Sequence, residues 1–187
     1  VAATALLLIG LLLTAHALDG LAHAVEALSG HAIGARAPLQ LRRIMVVACG
    51  WSVLASLAFG LFFLFAGGWF IRLQTDIAEV RQLALQFLPY LAALPLIAVW
   101  SYLLDGLFIG ATRAREMRDS MLLAVAVALP LGWWLQGLGN HGLWLAFLAF
   151  MLLRGIFLGT VAFRLQQSGA WFPGTCPSSP GKTVTGH

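Results

Sequence analysis

Apolar residues run along this chain in five long stretches, separated by short segments that hold most of the charged residues. A helix needs about 20 apolar residues to cross a bilayer, and all five stretches come near or exceed that length. The sequence therefore predicts transmembrane helices over residues of about 2–33, 44–66, 83–112, 119–137 and 141–164. The fold class that follows is all-α, a polytopic membrane helix bundle with about five transmembrane helices.

The first and third predicted helices are too long for a straight crossing. At ~1.5 Å per residue, the third would run about 45 Å against a hydrocarbon core of about 30 Å. It must tilt, kink or begin as an amphipathic lead-in at the membrane surface, over 74–88. Glycine and proline mark the candidate bending points, which are Gly20, Pro89, Pro95, Gly106 and Pro130.

Composition supports the membrane class and excludes several others. Hydrophobic residues make up 60% of the 187 residues and charged residues only 10%, whereas a soluble domain is about 25% charged. The mean hydropathy is +0.90 and the pI about 9.8, but the pI rests on only 11 basic and 7 acidic residues. These values exclude a nucleic-acid-binding protein, a disordered chain and an ordinary cytosolic enzyme. The lipid bilayer is the expected partner.

The motifs of enzymes and metal sites are missing from the sequence. Nothing resembles a nucleophilic triad, a phosphate-binding loop or a metalloprotease motif. Cys49 lies in an apolar helix and Cys176 near the carboxyl end, so neither a disulfide nor a metal site is indicated. We expect no enzymatic activity, no cofactor and no metal.

The basic residues alternate between the two sides of the predicted bundle. Lys and Arg favour the cytoplasmic side, so the first helix is predicted to run from outside to inside. One side holds eight basic residues, and the opposite connections hold two, Arg72 and Arg81. The eight are Arg36, Arg42, Arg43, Arg113, Arg115, Arg118, Arg164 and Lys182.

The two ends of the chain carry separate expectations. Val1 opens within an apolar stretch with no basic segment before it, so we expect a fragment that lacks its amino-terminal part. Residues 173–187 are rich in Pro, Gly, Ser and Thr and are expected to form a disordered cytoplasmic tail. Tryptophan is enriched at membrane interfaces, and the expected anchors are Trp69, Trp133, Trp134, Trp144 and Trp171.

One face of the first predicted helix is polar. His16, Asp19, His23 and Glu26 follow one another at spacings of three, four and three residues, which places them within an arc of about 80°. Such a face is costly in lipid and should look into a bundle or a watery cavity. The alternative is that carbonyl groups or waters satisfy the two imidazoles and that the stripe has no further role.

Two more charges lie inside predicted spans, Asp105 in the third and Arg154 in the fifth. Counted from the inner boundary, Asp105, Arg154 and Glu26 lie about 12 to 15 Å deep, within reach of one layer. Because a buried charge usually pairs, we expect Arg154 to pair with Asp105 or Glu26, which leaves a carboxylate free for a proton or cation. The alternative is a purely structural Asp105–Arg154 pair.

Three stretches resemble a known family of transporters. They are ALDGLAHAVEALSGHAIGAR (17–36), WSYLLDGLFIGATRAREMRDSM (100–121) and LGNHGLWLAFLAFMLLRGIFLG (138–159). Their order, spacing and topology resemble the DinF branch of the MATE (multidrug and toxic compound extrusion) transporters, over about residues 1–172. That family folds as twelve helices in two lobes. The resemblance implies that these five spans are helices eight to twelve, in the carboxyl-terminal lobe, and that the amino-terminal lobe is missing.

The resemblance also implies a function. Family members exchange H⁺ or Na⁺ moving inward for an amphiphilic, often cationic, drug moving outward. By resemblance the chain is a fragment of such an antiporter in a bacterial cytoplasmic (inner) membrane, and Asp19, Glu26 and Asp105 match acidic positions typical of this branch. His16 and His23 join them as candidates for the cavity or for ion coupling. The alternatives are a lipid or lipid-linked oligosaccharide flippase of related architecture, or a non-transporting membrane fragment.

Overall fold

The computed structural model of the chain describes residues 2–172, which contain five long α-helices and no strand. The helices are α1 (Ala2–Gly34), α2 (Pro38–Gln74), α3 (Ala78–Gly110), α4 (Ala114–Trp134) and α5 (Asn140–Ser168). A short 3₁₀ turn, Leu135–Leu138, joins α4 to α5. All five helices are long and apolar enough to cross a membrane, so the prediction of an all-α membrane bundle is confirmed. The expected tail at 173–187, with Cys176, lies outside the described residues.

Three of the helices are much longer than a bilayer core requires. α2 has 37 residues, and α1 and α3 have 33 each, so each runs for about 50 Å or more. The expected amphipathic lead-in is continuous with α3 from Ala78 onward, and Pro89 and Pro95 lie inside that one helix. All three helices therefore extend past a hydrocarbon core of about 30 Å unless they tilt.

α3 is the central helix of the bundle and contacts each of the other four. α1 and α2 pack against each other and against α3, and α4 packs mainly against α5. Buried apolar side chains form two clusters along α3. The first includes Phe63 and Leu91, and the second, toward the carboxyl end of α3, includes Phe108 and Leu158.

α1 and α3 end in the same kind of turn. Ile-Gly-Ala precedes both turns, at 33–35 and 109–111, and the next residue has a positive φ, 51° at Arg36 and 57° at Thr112. The Ala37 amide donates to the carbonyl of Ala32 over 2.9 Å, and the Arg113 amide donates to that of Phe108 over 2.9 Å. These bonds satisfy helix-end carbonyls in the pattern of a Schellman motif. Both basic turns lie at one end of the bundle.

The expectation for the tryptophans is wrong at two positions. Trp144 and Trp171 are each only 4% exposed and belong to the two buried clusters. Trp144 stacks near Tyr90, and the Trp171 ring meets Phe108 edge to face at 5.5 Å between centroids. A tryptophan beside a turn can point outward or inward, and in these two cases the neighbouring helix supplies an aromatic partner. The other three expected anchors, Trp69, Trp133 and Trp134, are largely exposed.

Candidate functional site

The polar face of α1 forms a cluster around His23. The His23 Nε2 atom lies 3.3 Å from Asp19 Oδ2, and its Nδ1 atom lies 3.1 Å from Glu26 Oε2. The spacings of four and three residues bring these side chains together on one helix face. The imidazole therefore links two carboxylates, and we call these three residues the α1 cluster.

The α1 cluster lies on the outside of the described bundle. The His23 side chain is 69% exposed and that of Asp19 55%, while Glu26 is half-buried. The buried face of α1 is a neighbouring one, which includes Leu18, Ala22 and Val25. The predicted polar face is therefore present but does not point into the interior of these five helices, which leaves a water-filled cavity or further protein as its favourable surroundings.

His16 stands apart from the α1 cluster. It is exposed, and its Nδ1 atom lies 2.6 Å from the carbonyl oxygen of Leu12 on the same helix. This contact with a carbonyl group of its own helix matches the alternative considered for the imidazoles. His31 is exposed in the last turn of α1.

Small residues bring α3 close to α1 beside this cluster. A Cβ atom on Gly106 would overlap the carbonyl oxygen of Ala22, and one on Gly110 would overlap the carbonyl oxygen of Glu26 and the Ser29 hydroxyl. Only glycine allows the two backbones this approach, a usual device in membrane helix packing. The α1 cluster and the segment of α3 around Asp105 are consequently neighbours.

Asp105 and Arg154 form an ion pair between α3 and α5. Arg154 donates from Nη2 to Asp105 Oδ2, and the side chains are only 12% and 11% exposed. One turn away on α3, the Ser101 hydroxyl donates to the carbonyl of Met151 over 3.0 Å. Of the two partners considered for Arg154, the structure places Asp105 in contact, and Glu26 contacts His23 instead.

The buried pair remains open on one side. The second oxygen of Asp105, Oδ1, is buried and has no hydrogen-bond partner within the described part of the chain. The site thus combines an exposed cluster on α1 with a buried pair, and the close approach of α3 to α1 at Gly106 makes the two groups neighbours.

The sequence did not point to one polar residue of α3, Ser101, which binds the carbonyl of Met151 on α5. Ser101 lies four residues before Asp105 and therefore on the same helix face, and that spacing was the available signal.

His141 takes part in an aromatic contact between α3 and α5. Its Nδ1 atom lies 3.1 Å from the hydroxyl of Tyr90, and its ring lies 4.6 Å from that of Phe87, centroid to centroid. This group is at the opposite end of α3 from the two basic turns and holds the start of α5 in place. Within residues 2–172, no three His, Cys, Asp or Glu side chains are grouped so as to hold a metal ion.

Comparison with known proteins gives two matches. A family model described as MatE matches residues 1–134. The chain is also 46% identical, over 179 residues, to DNA damage-inducible protein F of Escherichia coli (strain K12). That alignment covers 94% of this chain and 38% of the relative, so the chain spans well under half the length of the curated relative that it matches. No solved structure matches the chain.

Proposed function

This chain belongs to the MatE family of membrane transporters, as its resemblance indicated, and on that premise we propose that it acts as part of a multidrug antiporter. The intact protein would carry an amphiphilic, often cationic, molecule outward across a bacterial cytoplasmic membrane in exchange for H⁺ or Na⁺ moving inward. It would be a transporter without an enzymatic step. The basic turns at Arg36 and Arg113, and the tail, would face the cytoplasm.

The observation that carries this proposal is the exposed α1 cluster, which the close approach of α1 to α3 sets beside the buried Asp105–Arg154 pair. An exposed face with Asp19 and Glu26 attracts a cation when its carboxylates are ionised. Protonation of these groups, or Na⁺ bound to them, removes the attraction and favours release. The exposed side of the α1 cluster is the surface that a second lobe would face across a central cavity, as alternating access requires.

In the proposed exchange, Asp105 is the carboxylate that would connect ion binding to helix movement. Its Oδ2 atom is held by Arg154, while its buried Oδ1 atom has no hydrogen-bond partner among the described residues. A proton or Na⁺ at Oδ1 would compete with Arg154 for the carboxylate. Occupancy of this one atom would therefore change the attraction between α3 and α5, which is a route from ion binding to helix movement.

The same pair argues against the flippase alternative. A flippase for anionic lipid-linked sugars needs a wide cationic cavity, and Arg154 is the only basic residue deep within a predicted span. Its charge is engaged by Asp105. We therefore do not extend the proposal to lipid-linked oligosaccharides.

The test replaces the membrane carboxylates one at a time in the intact gene product. Asp19→Asn and Glu26→Gln are each expected to abolish ethidium efflux from a pump-deficient bacterial strain, with membrane protein levels unchanged. Asp105→Asn is expected to abolish efflux as well, and because it also removes the partner of the buried Arg154, its efflux is compared per amount of folded protein in the membrane. Asp119→Asn is the matched control, because that carboxylate is exposed and paired with Arg118 near the start of α4. Full efflux by all three variants would overturn the site assignment.

The driving ion is tested in proteoliposomes that contain the purified intact protein. An inward gradient of H⁺ or of Na⁺ is imposed while the other ion is balanced, and uptake or release of a fluorescent cation is followed. One of the two gradients is expected to drive transport, and Asp105→Asn should remove that response. Transport that follows neither gradient would contradict coupled antiport.

A further inference from the structure

A groove runs along the outside of the bundle where α2 meets α3 and α5. Its volume is about 570 Å³, and Arg42, Leu104, Gly159 and Phe163 are among the residues that line it. Pockets of this size are in the range that holds small organic ligands. We call it the Arg42 groove.

The walls of the groove are apolar and its charge is concentrated at one end. Leu, Met, Val, Ala, Phe and Trp side chains make most of the lining, and Arg42 is its only charged residue, with Gln166 as its only amide. Arg42 is exposed and lies in the second turn of α2, next to the basic turn that follows α1. The groove is therefore amphiphilic along its length, cationic at the helix end and apolar beyond.

The positive charge at this end has no counterion within residues 2–172. Arg42 and its neighbour Arg43 take part in none of the ion pairs found in the described chain. The acidic residues in the first two turns of α4, Glu116 and Asp119, are held by Arg113 and Arg118. The first turn of α2 contains no acidic residue, and the helix dipole adds positive potential there.

We propose that the Arg42 groove binds an anionic phospholipid of the cytoplasmic leaflet, with its phosphate on Arg42 and an acyl chain along Leu104, Gly159 and Phe163. Charge complementarity selects this occupant, because the guanidinium group pairs with phosphate in a fork geometry. Basic pockets between transmembrane helices on the cytoplasmic side are suited to anionic headgroups. An amphiphile with an anionic group at one end and an apolar chain beyond it matches the groove over its whole length.

The test measures lipid binding to the intact gene product in detergent by native mass spectrometry. Dioleoyl phosphatidylglycerol is the anionic probe, and dioleoyl phosphatidylcholine, with the same chains, is the neutral one. Bound phosphatidylglycerol is expected to exceed phosphatidylcholine, and Arg42→Gln should reduce its binding about fivefold. Arg115→Gln is the matched control, since Arg115 is an exposed arginine at the same end of the bundle and does not line the Arg42 groove.

A second variant separates the contribution of the apolar groove to lipid binding from the contribution of the Arg42 charge. The nearest atom to a Cβ on Gly159 would be Leu104 Cδ1 at 3.7 Å, so Gly159→Leu should fill the groove and leave every arginine in place. Loss of both lipids in this variant, with an unchanged unfolding temperature, supports an acyl chain in the groove. Equal losses from Arg42→Gln and Arg115→Gln would reveal diffuse surface attraction only and overturn the proposal. The proposal would also fail if phosphatidylglycerol bound no better than phosphatidylcholine, as expected if another segment of the intact protein covered the groove.

Discussion

Two groups of charged side chains occupy the membrane-spanning helices, and they are built in opposite ways. In the α1 cluster all three members come from one helix, and the central imidazole is 69% exposed. In the Asp105–Arg154 pair the members come from two helices, and both are nearly buried. The first needs only helical spacing to form, whereas the second exists only when α3 and α5 are correctly packed.

The difference separates two tasks that charges perform in a membrane. An exposed cluster contributes little to stability and is free to exchange protons, ions or ligands. A buried pair is costly to break, because removal of one partner strands the other charge in a medium of low dielectric. We infer that the α1 cluster serves the exchange of protons, ions or ligands and that the α3–α5 contact responds to that exchange. Three variants test this contrast.

The largest effect is expected when the buried pair loses one partner. Arg154→Leu leaves Asp105 buried without a cation and should lower the free energy of unfolding by about 3–5 kcal/mol. The measurement is unfolding of the purified protein in detergent micelles. Arg118→Gln is the control, because its partner Asp119 is exposed, and it should change little. Similar losses from both variants would show that burial does not distinguish the two pairs.

A smaller loss is expected where α3 approaches α1. Gly106→Ala places a methyl group against the Ala22 carbonyl, which forces the helices apart at a cost of about 1–3 kcal/mol. Gly20→Ala is the matched control on α1, since nothing lies within 4 Å of its added Cβ. It should leave stability unchanged or raise it slightly through helix propensity. The close approach of α1 and α3 would be refuted if the two variants unfolded alike.

The smallest effect on stability is expected in the α1 cluster. His23→Gln removes an exposed link between Asp19 and Glu26 and should leave the unfolding temperature unchanged. If the proposed exchange is correct, ethidium efflux by the intact protein should nevertheless fall. His16→Gln, which affects only a contact with its own helix, should reduce efflux less. A His23 variant that unfolds early but transports normally would reverse the contrast between the two groups.

Much of the candidate site followed from spacing alone. The positions of His23, Asp19 and Glu26 predict that the three lie on one helix face, and the structure brings them within contact. The sequence did not determine where this polar face points, because such a face can look either into a bundle interior or into a cavity. The face of α1 with Ala22 and Ser29 was the better fit to α3, because these small residues permit the close approach of Gly106 and Gly110.

The choice of partner for Arg154 could not be read from the sequence. Asp105 and Glu26 were predicted at similar depth, and depth was the only coordinate that the sequence supplied. The rotation of α3 about its own axis turns Asp105 toward α5, and that rotation is set by packing along the whole helix. The same reason explains Trp144 and Trp171, which turned inward beside turns that suggested an interface.

The sequence by itself determined the class of the protein, the five helices and the polar face of α1, because bilayer thickness and helical periodicity act on one segment at a time. Its family also followed from short local motifs. Only the tertiary structure decided which charges are buried together, which tryptophans lie in the core and where the Arg42 groove opens. These features depend on the relative rotation and depth of separate helices, which small side chains and ion pairs set only after the helices meet.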